Sequence, residues 1–142
     1  MIDIHITKNR EEIKEIMKIR EEVFIKEQNV PHEDEVDGLG NSSEHVILYY
    51  NNKPSGTARI RKVNGKIKLE RIAILSQVRG KGLGEKLVKF LVEYSKEKNV
   101  KEVYMHAQYY LVNFYAKFGF KQRGDTFYDA GIKHIEMYLE LE

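Results

Sequence analysis

Between residues 72 and 97 an apolar, strand-like run, Ile72-Ala73-Ile74-Leu75, passes through a turn with glycine at 80, 82 and 84 into a helix-patterned segment. A glycine-rich turn between a strand and a helix is an anion cradle. The first N–H groups of the helix have no intrahelical partner, they gather in one concavity, and the helix dipole adds positive potential there. Arg79 and Lys81 place two cations beside it. Two common phosphate motifs fail on register. A P-loop needs Gly-Lys-Ser/Thr where the chain reads Gly84-Glu85-Lys86, and a dinucleotide fingerprint begun at Gly80 needs glycine where Glu85 stands. A bare Gly-x-Gly is more often only a helix entry; the apolar strand and the two cations favour the anion site.

The flanking segments pattern as β-α-β-β-β-α-β-α-β. Ile2, Ile4 and Ile6 alternate with polar residues as a half-buried strand. Asn9 caps a helix with Glu11 and Glu12 in its first turn, and Ile13, Ile16, Met17, Val23 and Phe24 form its apolar stripe before Pro31 bars continuation. Residues 28–44 form an acidic loop. Residues 45–50, 56–63 and 66–75 pattern as strands, the last two joined by the hairpin signal Asn64-Gly65. Leu83, Leu87, Val88, Leu91 and Tyr94 mark a helix over 82–97; a strand over 100–106, a helix over 109–118 ended by Gly119, and a strand over 131–141 follow. Early strands and later alternation predict a mixed α/β sheet carrying helices, in a single domain over 1–142.

Composition removes whole classes of function. With no cysteine there is no disulfide framework, thiolate nucleophile or Cys-ligated zinc. A formal charge of +2 disfavours nucleic-acid binding through bulk charge. The longest apolar run, Val46 to Tyr50, is far short of a membrane span, and the N-terminus lacks the pattern of an export signal, so a cytoplasmic location is expected. The sequon Asn41-Ser42-Ser43 carries little weight in that setting. Oligomeric state is left open, a homodimer included.

Arg79-x-x-Gly82-x-Gly84 resembles the Arg/Gln-x-x-Gly-x-Gly/Ala signature of the GNAT N-acetyltransferase superfamily, and Tyr115-Ala116-Lys117-Phe118-Gly119-Phe120 resembles its second signature. Val23 to Gln28 with Pro31 and Asp37-Gly38, then Gly56-Thr57-Ala58-Arg59, His106-Ala107-Gln108 and Gly131 to Ile135, are similar to the YjcF/ElaA-like branch. The resemblance implies a sheet splayed at the cofactor, with acetyl-CoA as cosubstrate and no metal. It implies direct transfer of an acetyl group to a primary amine, the acceptor being a small molecule of unknown identity. The cofactor would lie on Ile72, Ala73, Ile74, Arg79, Gly80, Lys81, Gly82, Leu83, Gly84 and Gln108, with the Ile74 N–H polarising the thioester carbonyl. A non-catalytic acyl-CoA sensor and an acidic-loop interaction module are the alternatives.

Individual residues carry a bland and a sharp reading. Tyr115 is either a core aromatic or, as its place in the second signature implies, the acid for the departing thiolate. Ideal alternation puts Glu70 on the face of Ile72 and Ile74, where it is either a solvated edge acid or the general base; a bulge would change the facing. His134 is a packed strand histidine, an acceptor contact or an alternative base. Glu27 and Glu35 are further acceptor contacts. Arg20, on an apolar helix face, reads as an ion pair anchoring the acidic loop rather than a substrate clamp. Glu33, Glu35, Asp37, Gly38 and Glu44 fit calcium-loop positions, but the flanking elements are wrong for that motif. The loop is read as solvated or as an acidic rim for a cationic amine.

Overall fold

The computed structural model describes residues 1–142 apart from Val36, Gly40, Asn41 and Ser42, so the sequon lies outside the described residues. Strand β1 (Ile2–Thr7) leads to α1 (Arg10–Arg20), which runs on as a π-helix over Glu21–Glu27 and is followed by the one-turn helix α2 (His32–Glu35). Then come β2 (Glu44–Tyr50), β3 (Lys53–Val63), β4 (Lys66–Ile74), α3 (Leu83–Lys96), β5 (Glu102–Gln108), α4 (Val112–Ala116), β6 (Lys121–Asp129) and β7 (Ile132–Glu140). Among the described residues seven strands join one sheet in the order β1-β2-β3-β4-β5-β7-β6. The β4–β5 pair is parallel and the others antiparallel, which makes the sheet mixed as predicted.

The predicted element order needs one added strand, β6, and the one-turn helix α2 inside the stretch 28–44 expected as a loop. In β6 only Phe127 and Tyr128 are apolar, and most of the strand is exposed at the sheet edge, so it carries no alternation to read. β3 also starts earlier than predicted, at Lys53, because Pro54 sits beside a bulge between Leu48 and Tyr49. The Asn64-Gly65 hairpin forms as expected, with both residues at positive φ and Val63 opposite Lys66.

One face of the sheet packs on α3. Val46, Leu48, Ala58, Ile60, Leu69, Val103, Met105 and Met137 meet Leu83, Leu87, Val88 and Leu91 in one buried cluster. On the other face α1 lies over β2, β3 and β4, and its Glu12 bonds His5 and Thr7 of β1. The buried stripe of α1 is Ile16, Ile19 and Arg20, continuing through Val23 and Phe24, while Met17 is 38% exposed and leaves the predicted stripe. Spacing from Ile16 and Ile19 to Val23 fits one helical face, and Met17 lies beside it.

The local geometry of β4 decides the rest. Between Thr57 and Arg59 of β3 the partner strand advances from Ala73 back to Glu70, one residue more than its neighbour, and Arg71 takes up that bulge at φ +54°. A side-chain-bearing residue held left-handed costs about 1–2 kcal/mol. The Arg71 guanidinium offsets this by donating to the backbone carbonyl of Glu35 at 2.9 Å and to its carboxylate at 3.2 Å. The bulge also reverses the facing. Glu70 turns to Arg59 and Arg61, and Ala73 packs with Ile19, Val23 and Phe24 under α1. Ile72 and Ile74 join the opposite cluster, so the expectation that Glu70 shares their face is overturned.

Candidate active site

Parallel pairing of β4 with β5 covers Ile67–Val103, Lys68–Tyr104 and Leu69–Met105, and then stops. Beyond Leu69 the two strands part, and a cavity of about 820 Å³ opens between them. Backbone direction can be followed across the gap. The Leu75 N–H donates to the Ser55 carbonyl on the β3 side at 2.9 Å. Amide direction alternates along a strand, so the N–H and C=O of Ile74 turn the other way, into the gap. The Ile74 carbonyl accepts there from Arg79 Nε at 2.9 Å. The Ile74 N–H is thus directed into the cavity and able to act as a donor there.

The turn after β4 lines the same cavity with Arg79, Gly80, Gly82, Leu83 and Gly84. Gly80 and Gly82 stand at φ +82° and +79°, and no atom lies within 4 Å of the position a Cβ would take at either. Their requirement is therefore backbone conformation, with open space for a ligand above. Gly82 is the N-cap of α3, whose first amides supply the free donors. Lys81 departs from expectation. It is exposed, absent from the cavity wall, and its ammonium lies 5.9 Å from the centre of the Tyr50 ring. Leu83 reaches the cavity wall while its side chain is buried in the α3 core.

Tyr115, on α4, is 5% exposed, lines the cavity and makes no hydrogen bond among the described residues. Burial raises its phenol well above the ordinary value, so the group is a proton carrier at neutral pH. Phe114 and Phe120 pack edge-on to its ring and fix it. The sharp and bland readings of this residue therefore coexist: a packed ring with a free hydroxyl.

His134, on β7, also lines the cavity. Its Nδ1 lies 2.7 Å from the Ile132 carbonyl oxygen, which can only accept, so Nδ1 carries the proton and neutral imidazole keeps its lone pair on Nε2. Phe127 stacks on the ring at 5.7 Å. Gln108, opposite His134 in the β5–β7 ladder, exchanges an amide hydrogen bond of 2.8 Å with Gln28 at the end of the π-helix. Sequence reasoning missed Gln28 as a wall residue, although the π-turn that places it lies at a position where such bulges often mark function.

Glu70 is committed to cations. One of its oxygens lies 3.0 Å from Arg59 Nε and 2.8 Å from Arg61 Nε, the other 2.9 Å from Arg61 Nη2 and 3.3 Å from Lys68 Nζ. Burial pushes its pKa up, but these partners outweigh that and hold it down at about 2. Glu35 is likewise enclosed, with Arg20 at 2.5 Å and Arg71 at 3.2 Å, so Arg20 anchors the acidic loop as predicted. Asp37 binds Arg59 through both oxygens at 2.6 and 2.9 Å, and this pair holds its carboxyl far below the usual range. Glu44, the last of the calcium-loop positions, accepts from the Tyr94 hydroxyl. Glu27 lies outside the cavity wall but pairs with Arg79. Among the described residues no helix is long and apolar enough to cross a membrane.

The sequence profile of the acetyltransferase (GNAT) domain matches residues 5–141. The Bacillus subtilis protein YjcF, described as an uncharacterized N-acetyltransferase, is 42% identical over 133 residues, covering 93% of this chain and 95% of its own. The crystal structure of Escherichia coli ElaA superposes with a TM-score of 0.86 at 27% identity over 97% of this chain and 99% of that one. A GNAT family acetyltransferase from Elizabethkingia anophelis, solved with acetyl-CoA bound, shares the fold at a TM-score of 0.74 and 17% identity, covering 99% of this chain and 98% of its own.

Proposed function

Since this chain belongs to the GNAT acetyltransferase family, we propose that it moves an acetyl group from acetyl-CoA to a primary amine of a small molecule by direct attack. The observation that carries the reading is the parting of β4 from β5 after Leu69, with the Ile74 amide turned into the gap ahead of the left-handed glycines. Pantetheine would complete the sheet along Ile72, Ala73 and Ile74, and the pyrophosphate would sit on the turn from Arg79 to Gly84. The acetyl-CoA held by the Elizabethkingia relative lends support to that cosubstrate.

In the reaction the amine nitrogen attacks the thioester carbon, and the oxygen charge that develops is met by the Ile74 N–H, a contribution of order 10²–10³ in rate for such a donor. The C–S bond then breaks. The departing thiolate takes the Tyr115 hydroxyl proton, and the phenolate regains a proton from water in the cavity. The amine must also shed a proton. Glu70, held at about 2 and occupied on both oxygens, is a weak base, whereas His134 offers an open Nε2 lone pair on the same cavity. We assign the base to His134 and give Glu70 the task of ordering the arginines around it.

Thiol release from acetyl-CoA with a panel of small amines, beside calorimetric binding of acetyl-CoA, tests this function. Binding with amine-dependent thiol release is the expected result. Binding without release for any amine would favour the acyl-CoA sensor, and absence of binding would remove the cosubstrate assignment. The interaction-module alternative is weakened because Glu35 and Asp37 point inward onto arginines.

A further inference from the structure

The acceptor half of the cavity is walled by Arg61, Lys68, Glu70 and Arg71, with Arg20, Arg59, Glu35 and Asp37 in the same ion-pair network. This network sets five cations (Arg20, Arg59, Arg61, Lys68, Arg71) against three carboxylates (Glu35, Asp37, Glu70), an excess of two positive charges in a largely desolvated wall. The valences are as uneven as the charges. Every carboxylate oxygen of Glu70 and Asp37 already faces a cation, so an incoming ammonium finds no free acceptor on them. The donors are not exhausted. Among the described residues Lys68 Nζ, 3.3 Å from Glu70, makes no hydrogen bond, and neither does Nη1 of Arg61 or of Arg71. Among the described cavity acids the carboxylates of Asp34, Glu85 and Asp129 meet no guanidinium; all three residues are exposed, and none of these carboxylates is part of this ion-pair network.

An unpaired cationic excess held away from water is costly unless an anion completes it. Coenzyme A's pyrophosphate does not serve, because the turn that would bind it follows Ile74, about 20 Å of strand beyond Lys68. We propose that the acceptor is an amine that also carries a carboxylate, which Lys68, Arg61 and Arg71 seat while its amine reaches the thioester at Ile74. This rests on the acetyl-transfer reading above and narrows it to one substrate class, a zwitterion rather than the purely cationic amine an acidic rim would suggest.

The test uses the full chain and a series of unbranched ω-amino acids from 6-aminohexanoate to 12-aminododecanoate, long enough to run from the cations of β4 toward Ile74, each beside its amide and the corresponding diamine. For the chain length that reacts best, kcat/KM for the carboxylate should exceed that for its amide by at least about tenfold, the scale of one charge-assisted hydrogen bond. Lys68→Met should erase most of that preference while leaving acetyl-CoA affinity within a few-fold; Arg61→Met provides a second variant. Amides or diamines that match the carboxylates, or a preference that survives both substitutions, would overturn the proposal. Calorimetry of the same acids against CoA-bound protein gives a readout independent of turnover, and no binding by any of them would also overturn it. Failure to bind acetyl-CoA would instead strike the underlying function.

Discussion

Glu27 and Arg79, 52 residues apart, face each other as a two-point ion pair, Nη1 2.5 Å and Nη2 2.8 Å from the two carboxylate oxygens. The same guanidinium holds the Ile74 carbonyl through Nε. One side chain therefore ties the end of the π-helix to the exit of β4 and the glycine turn. Both partners are about two-fifths exposed, so the pair is solvated and readily exchanged.

A pyrophosphate seated on the turn would compete with Glu27 for that guanidinium. Glu27→Gln should therefore tighten acetyl-CoA binding several-fold, while Arg79→Ala should weaken it by roughly tenfold or more, as loss of a charge-assisted contact does. Calorimetry at two salt concentrations checks both, with the Arg79→Ala variant showing the shallower salt dependence. Unchanged affinity in both variants would remove Arg79 from the cofactor site.

Glu70→Gln leaves Arg59, Arg61 and Lys68 facing a neutral amide. Breaking a buried pair by removing one partner costs about 3–5 kcal/mol, to be read from urea unfolding. The wild-type group has a folded pKa of about 2 against an ordinary 4.5, so its stabilisation is complete above the ordinary value and is lost as pH falls from there toward about 2. The variant should lack that acid-sensitive component. A Gln variant as stable as the parent but with its low-pH rate limb altered would restore Glu70 as the base.

Gly56→Ala probes the packing behind the splay. A Cβ at Gly56 would lie 2.7 Å from Ile74 Cδ1 and 3.1 Å from the Ala73 carbonyl oxygen. The first can rotate away, but the second is backbone, so β4 must shift where it would meet the thioester. The expected cost is about 1–3 kcal/mol in unfolding, with weaker acetyl-CoA binding. A variant with parental affinity would show that this stretch of β4 does not set the cofactor's position.

What could be read in advance follows from how far each signal depends on neighbours. The α3 stripe, the two-residue hairpin and the glycine turn are local, since periodicity and left-handed φ are properties of short stretches. β6 was illegible because an exposed edge strand needs no buried face. The facing of Glu70 depends on one residue, Arg71, adopting a conformation that arginine rarely takes and that Glu35 and Asp37 stabilise from a distant loop. Gln28 lies at the end of a recognised stretch that carries no wall role by itself, and Lys68 sits in no motif. Their roles arise only where β4 and β5 separate.

The proton carriers make the last prediction. Tyr115→Phe keeps the ring against Phe114 and Phe120 and removes only the hydroxyl, so folding and acetyl-CoA affinity should hold within a few-fold while turnover falls by roughly 10²–10⁴. His134→Asn retains a donor for the Ile132 carbonyl but removes the Nε2 base. Its loss should be concentrated where the amine arrives protonated. Loss of Tyr115, by contrast, should lower the rate across the profile when thiolate departure limits turnover. The pair is separated by thiol leaving ability: an acetyl thioester with a more acidic thiol should rescue Tyr115→Phe and leave His134→Asn unimproved. Rescue of both, or of neither, would show that the two residues do not divide acid and base between them.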